Sequence, residues 1–422
     1  MGYRTKTGRA VKLIKDLKEG GEGKIWTTDT GMVAKIYKDN VLKSNNELRE
    51  KIEYMCSNLP SQWILDHTAW PKEALYDDSG RFVGFLMDDY GAYRGISKLY
   101  TYYQSGKYPD GSPVDYTHKV AVATMLAHLV NEMHSMGGII GDFNPKNLGY
   151  VLDVNSSNPI EIVFFDSDSF PIKTQSGKLF KCKVSYPGYT APELIDAFDR
   201  KTMEFLSKGI TKKPTYEDID EVFSKDTDIF ALGVHVFQLL MNGFHPYAGV
   251  DMASVQQSQQ KNEENYHSST PTVNKHADLN SAVFMDEYCL KPGWMHGNVS
   301  CLHREDCPDY ITSLFDRTFR KLGPGEHRPD ASEWVSALIR LIKESTICGK
   351  NSYHVYWNGL SYCPYCAAWK RFDEKLHLNK SGSNSGSQAP VQSIPAPATS
   401  PSNSSPLSRA KLTKEGNKRI WQ

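Results

Sequence analysis

Two carboxylates and an amide stand close together in the middle of this 422-residue chain. Asp142 and Asn147 are separated by four residues in GDFNPKN, and Asp166 follows the short apolar run IEIVFF. Pro145 discourages helix between the first two, so both ride on a loop, whereas Asp166 ends a strand. Acids and an amide delivered from a loop and a strand end suit placing a hydroxyl and holding Mg²⁺ against phosphate oxygens. Upstream, Gly20, Gly21 and Gly23 offer backbone that phosphates can approach without a Cβ in the way. A second constellation, Cys348, His354, Cys363 and Cys366, has the spacing C-x5-H-x8-C-x2-C. The short Cys-Pro-Tyr-Cys turn lets both thiolates reach one tetrahedral ion, and four ligands leave no open position, so a structural Zn²⁺ is expected. A redox Cys-x-x-Cys is the competing reading, but no βαβ pattern surrounds it.

The elements that must carry these residues are legible as patterns. Residues 11–37 place apolar runs around a Gly-rich turn and around Asp29-Thr30-Gly31, the signature of a small antiparallel sheet. Residues 44–59 predict a helix with Leu48, Ile52, Met55 and Leu59 on one stripe. Strand, Asp-Ser-Gly turn and strand are expected over 69–90. Val120, Ala123, Ala127, Val130 and His134 recur at helical spacing over 117–136, and Gly137-Gly138 stops that helix. His134 is read as structural, packed beneath the Asp142 loop. DIFALGVHVFQLLMNG, opened by Asp228, is a strongly apolar helix, and ASEWVSALIRLI an amphipathic one.

Taken in order, these parts resemble the eukaryotic-type protein kinase family over roughly residues 11–343. The resemblance is carried by the Gly-rich turn, Met32-Val33-Ala34-Lys35, Asp142 with Asn147, Asp166-Ser167-Asp168, Ala191-Pro192-Glu193, the Asp228 helix and His327-Arg328-Pro329. The phrases AWP, GRFVGFLM, GDFNPKNLG and FDSDSF are similar to a divergent bacterial branch, the YegI-like kinases. The resemblance implies an α+β, two-lobed protein-kinase-like fold, with a β-rich N-lobe over about 1–90 and a mainly helical C-lobe over about 91–345. It also implies ATP and Mg²⁺ as cofactors and transfer of the γ-phosphate to protein Ser/Thr hydroxyls, autophosphorylation included. In that scheme Asp142 accepts or orients the substrate hydroxyl, and Asn147 and Asp166 hold Mg²⁺. Lys35, paired by Glu47 or by Glu50, positions the phosphates. Gly20, Gly21, Gly23 and Ile25 cover the nucleotide, and Met87 lies near the adenine. Asp228 would brace the catalytic loop and Arg328 would pair with Glu193.

Departures from the family pattern are equally specific. Lys18 takes the place of the first glycine of the phosphate loop. Ile140 and Gly141 stand where His and Arg precede the catalytic Asp, so no Arg there reads a phosphorylated activation segment, and activation without that switch is expected. Asn144 replaces the Lys that assists the γ-phosphate, so that either Lys146 substitutes for it or catalysis is slow. The Phe and Gly of D-F-G become Ser167 and Asp168, so that Asp168 either joins the metal shell or caps the next turn. The rival class is a pseudokinase scaffold that holds nucleotide or a partner protein without phosphoryl transfer. A small-molecule kinase is a third reading, against which A-P-E and the long activation segment speak.

Composition sets the remaining bounds. Forty-nine basic and 49 acidic residues cancel, so nothing points to nucleic acid or a membrane surface. No apolar run approaches the ~20 residues that span a bilayer, and the first residues lack the apolar stretch of a signal peptide. Eight cysteines without a secretion signal are expected as thiols and metal ligands in a reducing cytoplasm. Polar inserts enlarge the C-lobe at 199–224 and 250–307; Cys289, Cys301, His303 and Cys307 in the latter are candidates for a second zinc site, but their irregular spacing favours unlinked cysteine thiols. A zinc ribbon is expected over 346–372, a disordered Ser/Pro-rich linker over 378–410 and a short basic tail over 411–422. Ribbon or tail is the expected docking element for a partner protein.

Overall fold

The computed structural model describes residues 2–101, 116–152, 160–186, 188–247, 249–251, 294–296 and 301–381. Most of the 250–307 insert with Cys289, the linker from 382 on and the basic tail lie outside the described residues. The chain falls into two compact units: Met1–Lys98 with Met125–Leu232 and Leu322–Ser332, and Leu99–Thr124 with Gly233–Lys321 and Glu333–Gln422.

In the first unit, β1 (Tyr3–Thr5), β2 (Ala10–Val11), β3 (Leu13–Glu19), β4 (Gly23–Thr28), β5 (Val33–Tyr37), β6 (Glu73–Asp77) and β7 (Phe82–Met87) build one antiparallel sheet. Its order, β2-β1-β6-β7-β5-β4-β3, places the VAKIY strand inside, with Lys35 opposite Ile25 on one side and Phe85 on the other. Val11, Ala34, Leu75, Val83 and Leu86 form the buried core, flanked by Trp26, Met32 and Ile36. Full burial of an aliphatic side chain contributes about 1.5–3 kcal/mol, so this cluster holds β5 firmly.

Between β5 and β6, α1 (Asp39–Ser44) precedes the helix expected over 44–59, which is α2 (Leu48–Ser57) after a helical break, and α3 (Gln62–Asp66) follows. The break falls at Asn45-Asn46, whose side chains compete with helical backbone hydrogen bonds. α2 buries Leu48, Lys51, Ile52 and Met55. Then come β8 (Arg94–Gly95), α4 (Ser97–Thr101), α5 (Tyr116–Ser135), and the hairpin of β9 (Leu148–Leu152) and β10 (Ile160–Phe164). Gly149 of β9 faces Val163 of β10 in antiparallel register, so Asn147 and Asp166 lie at the same end of this hairpin. A smaller hairpin, β11 (Ile172–Lys173) with β12 (Leu179–Phe180), precedes α6 (Pro192–Ser207) and α7 (Lys225–Leu240).

In the second unit, Phe237 packs edge-on against Phe315, and Phe315 at a tilt against Trp334, each pair at 5.2 Å between ring centroids, joining α7 to the helices Asp309–Phe319 and Ala331–Lys343. A hairpin of Ser345–Ile347 and Val355–Trp357 follows, then the helix Pro364–Ser381. That helix runs past 372, where the ribbon was expected to end, because AAWKRFDEKLHL is rich in good helix formers. A curled antiparallel sheet followed by a mainly helical remainder is the α+β, protein-kinase-like fold. Among the described residues no helix is long and apolar enough to cross a membrane.

Candidate active site and metal centre

The loop carrying Asp142 is braced by Asp228 from the first turn of α7. Ile140 N and Gly141 N donate to its carboxylate at 2.8 and 2.9 Å, and His134 Nε2 lies 3.0 Å from it. All three contacts are anchored on a fully buried acid at a helix N-terminus, where the helix dipole favours negative charge. The reading of His134 as a structural residue beneath the loop is thus visible as a hydrogen bond. On the far side, Asn147 Nδ2 donates to Asp142 Oδ2 at 2.9 Å and to its carbonyl at 3.1 Å. Burial raises the Asp142 pKa, against the hydrogen bonds from Asn144 and Asn147.

Asn144 is turned back on its own loop: Nδ2 donates to the Asp142 carbonyl at 3.4 Å and Oδ1 accepts from Lys146 N at 2.9 Å. The Lys146 ammonium sits 4.6 Å from the centroid of the Tyr186 ring. Neither side chain therefore meets the reacting centre in this conformation; one stabilises the loop and the other its neighbour in the activation segment.

Lys35 gathers the acids. Its Nζ lies 2.9 and 2.7 Å from the two oxygens of Asp168, 3.4 Å from Asp166 Oδ1 and 3.5 Å from Glu22 Oε2. Burial opposes the ammonium charge, but Asp168, Asp166 and Glu22 outweigh it and hold the Lys35 pKa far above its ordinary value. The expected carboxylate partners from the helix are not there. Glu47 and Glu50 both pair with Lys178, at 3.1 and 2.7 Å, because the face of α2 turned inward carries Lys51 instead. Lys51 Nζ donates to the Asp168 carbonyl at 2.7 Å, and burial depresses its pKa to about 8. Asp168 is likewise not placed as a metal ligand: Oδ2 also accepts from Tyr37 OH at 2.6 Å, and only 3% of its side chain is exposed. Asp166, by contrast, keeps 49% of its side chain in solvent, which fits an oxygen donor for Mg²⁺ beside Asn147.

Over this site the turn from β3 to β4 is closed by Gly20 N donating to Gly23 O at 2.8 Å. Gly21 has open space where a Cβ would stand, whereas a Cβ on Gly23 would lie 2.4 Å from Ile36 O. Gly23 is thus needed for strand contact, and Gly20 and Gly21 are the open backbone. Ile25 lies on β4 beside Lys35, and Met87, 7% exposed, ends β7 opposite Val33.

Downstream, the segment between Asp166 and Glu193 is held by packing and by lysines. Gly141 has φ +78°, and a Cβ there would lie 3.0 Å from Pro171 Cδ, 3.1 Å from Cys182 Cβ and 3.2 Å from Cys182 Sγ. Cys182 therefore fills the space beside the position where an Arg would stand. It belongs to a buried cluster with Leu194, Ala197, Ile219 and Phe223. Gln175 N donates to Tyr54 OH at 3.1 Å and Lys183 Nζ to Asn45 Oδ1 at 3.1 Å, tying the segment to α1 and α2. The expected pair at its far end is present: Arg328 Nη1 and Nη2 donate to Glu193 at 2.6 and 3.0 Å, with the guanidinium fully buried.

The roles of Glu22, Tyr37, Lys51 and Cys182 were not read from the sequence. Only Lys51 carried a signal, a lysine set three residues after Leu48 within the apolar stripe of α2.

In the second unit, the ligand atoms of Cys348, His354, Cys363 and Cys366 all lie within 4.8 Å of one another. Cys348 Sγ is 3.6 Å from Cys366 Sγ, and His354 Nδ1 is 3.6 and 3.4 Å from the sulfurs of Cys363 and Cys366. A tetrahedron with Zn–S near 2.3 Å has edges of about 3.8 Å, so these four fit a zinc ion. Cys366 sits in the first turn of the helix Pro364–Ser381, whose positive end suits a thiolate. This segment packs on its unit: Tyr365 stacks on Tyr116 at 3.7 Å, Tyr362 OH donates to Asp306 at 2.7 Å, and Trp357 Nε1 donates to Glu344 at 3.3 Å. Among the described residues this is the one cluster of such ligands, and Cys301 and Cys307 are free thiols.

No family model matches this chain. It is similar to protein kinase YegI of Escherichia coli (strain K12), 27% identical over 369 residues, which is 86% of this chain and 49% of that protein. Protein kinase YegI of Escherichia coli O157:H7 is likewise 27% identical over 369 residues, 86% of this chain and 50% of that protein. The chain spans about half the length of the curated relatives it matches. These relatives support the divergent bacterial, YegI-like kinase branch that the sequence resembles.

Proposed function

We propose that this relative of the YegI-like protein kinases is itself an ATP-dependent protein kinase, transferring the γ-phosphate to protein Ser/Thr hydroxyls, its own included. One observation carries the reading. Lys35 from β5, Asp166 from the end of β10, and Asp142 with Asn147 from one loop are drawn together: Lys35 lies 3.4 Å from Asp166, the adjacent Phe165 N donates to the Asn147 carbonyl at 2.9 Å, and Asn147 lies 2.9 Å from Asp142. Asp142, braced through Asp228, would orient the substrate hydroxyl and take its proton. Asn147 and Asp166 would hold Mg²⁺, and Lys35 the phosphates, with Gly20 and Gly21 as backbone cover. Mg²⁺·ATP supplies the phosphoryl group and neutralises its charge. The zinc centre would be structural, and the free thiols among the described residues suit a cytoplasmic setting.

The scaffold reading draws on a specific observation too: Asn144 bonds back to its own loop and the Lys146 ammonium lies over the Tyr186 ring, so neither is free to assist a γ-phosphate in this conformation. A transfer assay with radiolabelled ATP and Mg²⁺ separates the two. The kinase reading expects label on the protein or on an added protein mixture, lost in Asp142→Asn and Asp166→Ala. Wild-type protein that binds Mg²⁺·ATP and never transfers phosphate establishes the scaffold.

A further inference from the structure

A lysine that positions phosphates must be held by a carboxylate, and in the kinase scheme that carboxylate comes from a helix. Here α2 supplies none, since Glu47 and Glu50 hold Lys178 and the inward position is Lys51. We infer that Asp168 is the positioning residue for Lys35, in place of the helix acid, and that Lys51 locks Asp168 there in place of a metal ion. The inference rests on the kinase reading for its purpose but on geometry for its substance.

Both Asp168 oxygens meet Lys35 Nζ, at 2.9 and 2.7 Å, and one also accepts from Tyr37 OH at 2.6 Å. Lys51 Nζ donates to the Asp168 carbonyl at 2.7 Å, and Lys51 itself is 7% exposed. The intervening residue is pinned as well, with Ser167 Oγ donating to the Ala69 carbonyl at 2.7 Å. Mg²⁺ demands near-octahedral oxygen ligands and keeps several waters. A carboxylate sealed between an ammonium and a phenol offers it no coordination site, whereas half-exposed Asp166 does. The two functions are thus divided over one short turn: Asp166 faces the metal, and Asp168 faces the lysine. Lys35 is then placed by the residues that follow β10, and α2 contributes Lys51 to Asp168 rather than a carboxylate to Lys35.

Acylation of Lys35 by an amine-reactive ester, read by peptide mass spectrometry on the full zinc-loaded chain without nucleotide, tests this directly. Paired with Asp168, the ammonium stays protonated and unreactive. In Asp168→Asn, burial is opposed only by the more distant Asp166 and Glu22, and each unit of lowered pKa raises the reactive fraction about tenfold. Lys35 labelling should therefore rise at least about tenfold in Asp168→Asn and change less than about threefold in Asp166→Asn. Magnesium titration of ATP binding should show the opposite: a raised half-saturation in Asp166→Asn and an unshifted one in Asp168→Asn. If Asp168→Asn loses its cooperative unfolding transition, Asp168→Glu carries the test, with Lys35 labelling kept within about threefold of wild type by the retained charge. Unchanged Lys35 labelling in Asp168→Asn, a tenfold rise in Asp168→Glu, or a magnesium half-saturation shifted as far as in Asp166→Asn overturns the assignment. Wild-type protein that binds no Mg²⁺·ATP overturns the kinase reading alone, because the labelling decides the role of Asp168 by itself.

Discussion

Gly141→Ala is the smallest change that probes how the catalytic loop and the activation segment fit together. At φ +78° an alanine carries a left-handed penalty of ~1–2 kcal/mol. Its Cβ would also stand 3.0 Å from Pro171 Cδ and 3.1 Å from Cys182 Cβ, in a packed interior where overfilling costs about 1–3 kcal/mol. Together these predict a loss of roughly 2–5 kcal/mol. The clash has a definite partner, so the loss should be non-additive. Cys182→Gly alone opens a small cavity, but in the double variant it also removes two of the three close contacts, both Cys182 atoms. A favourable coupling of about 1–2 kcal/mol is expected, within the range seen for side chains in contact. Urea unfolding of wild type, both single variants and the double variant measures the cycle. Hydrogen exchange at Ile140 and Gly141, whose amides donate to Asp228, localises the change to the loop. Additivity within ~0.5 kcal/mol would refute the packing argument. So would a Gly141→Arg variant that kept full stability and gained dependence on a phosphorylated activation segment.

Three further outcomes follow from the same geometry. Asp142→Asn should abolish transfer yet unfold at higher urea than wild type at neutral pH. Burial raises the folded pKa of Asp142, so its favourable contribution exists only at low pH and is lost as pH rises through that value; the stability gap between variant and wild type should close as pH falls into the ordinary carboxylate range, and a gap that widens there contradicts the assignment. Changing Thr174, Ser176 and Ser185 together to Ala should lower activity only modestly, because Cys182 packing and the Lys178 and Lys183 contacts, not a phosphate, hold the segment; complete loss with intact folding would show that some basic residue reads a phosphate. Metal analysis should find one Zn²⁺ per chain, and Cys363→Ser should remove it and abolish amide protection from 345 to the end of the described helix at Ser381. Structural zinc sites gain ~10–16 kcal/mol on binding, far more than so short a segment gains by burial, so protein prepared without chelator and lacking zinc would overturn the centre.

Much of the site is local chemistry and could be read from the chain alone. Asp142, Asn147 and Asp166 are placed by short-range rules: a proline that keeps a loop open, and a β-rich run that ends on an acid. The four candidate metal ligands follow from spacing, since two cysteines separated by two residues can reach one ion from a short turn. Strand, turn and helix periods located the sheet, α5 and α7, because burial of one face imposes them. The helix expected over 44–59 is α2, which starts only at Leu48 because two adjacent asparagines separate it from α1.

Pairings between distant residues were a different matter. Charge type says that Lys35 needs an acid, but Asp168 lies 133 residues away and Glu47 only 12, and sequence distance favours the wrong partner. Which acid wins is decided by which side chains face inward once α2 is packed. That rotation is set by Leu48, Ile52 and Met55, and it brings Lys51, not a glutamate, to the site. Gly141 likewise announces a missing arginine in the sequence, while Cys182, which fills the space beside it, is 41 residues downstream with no local mark. The sequence by itself determined which chemical groups this chain brings and the backbone elements that deliver them, because those depend on neighbours within a turn or a strand. Only the tertiary structure decided which charges meet, because desolvation makes a buried ion select the one counter-charge that packing places within reach.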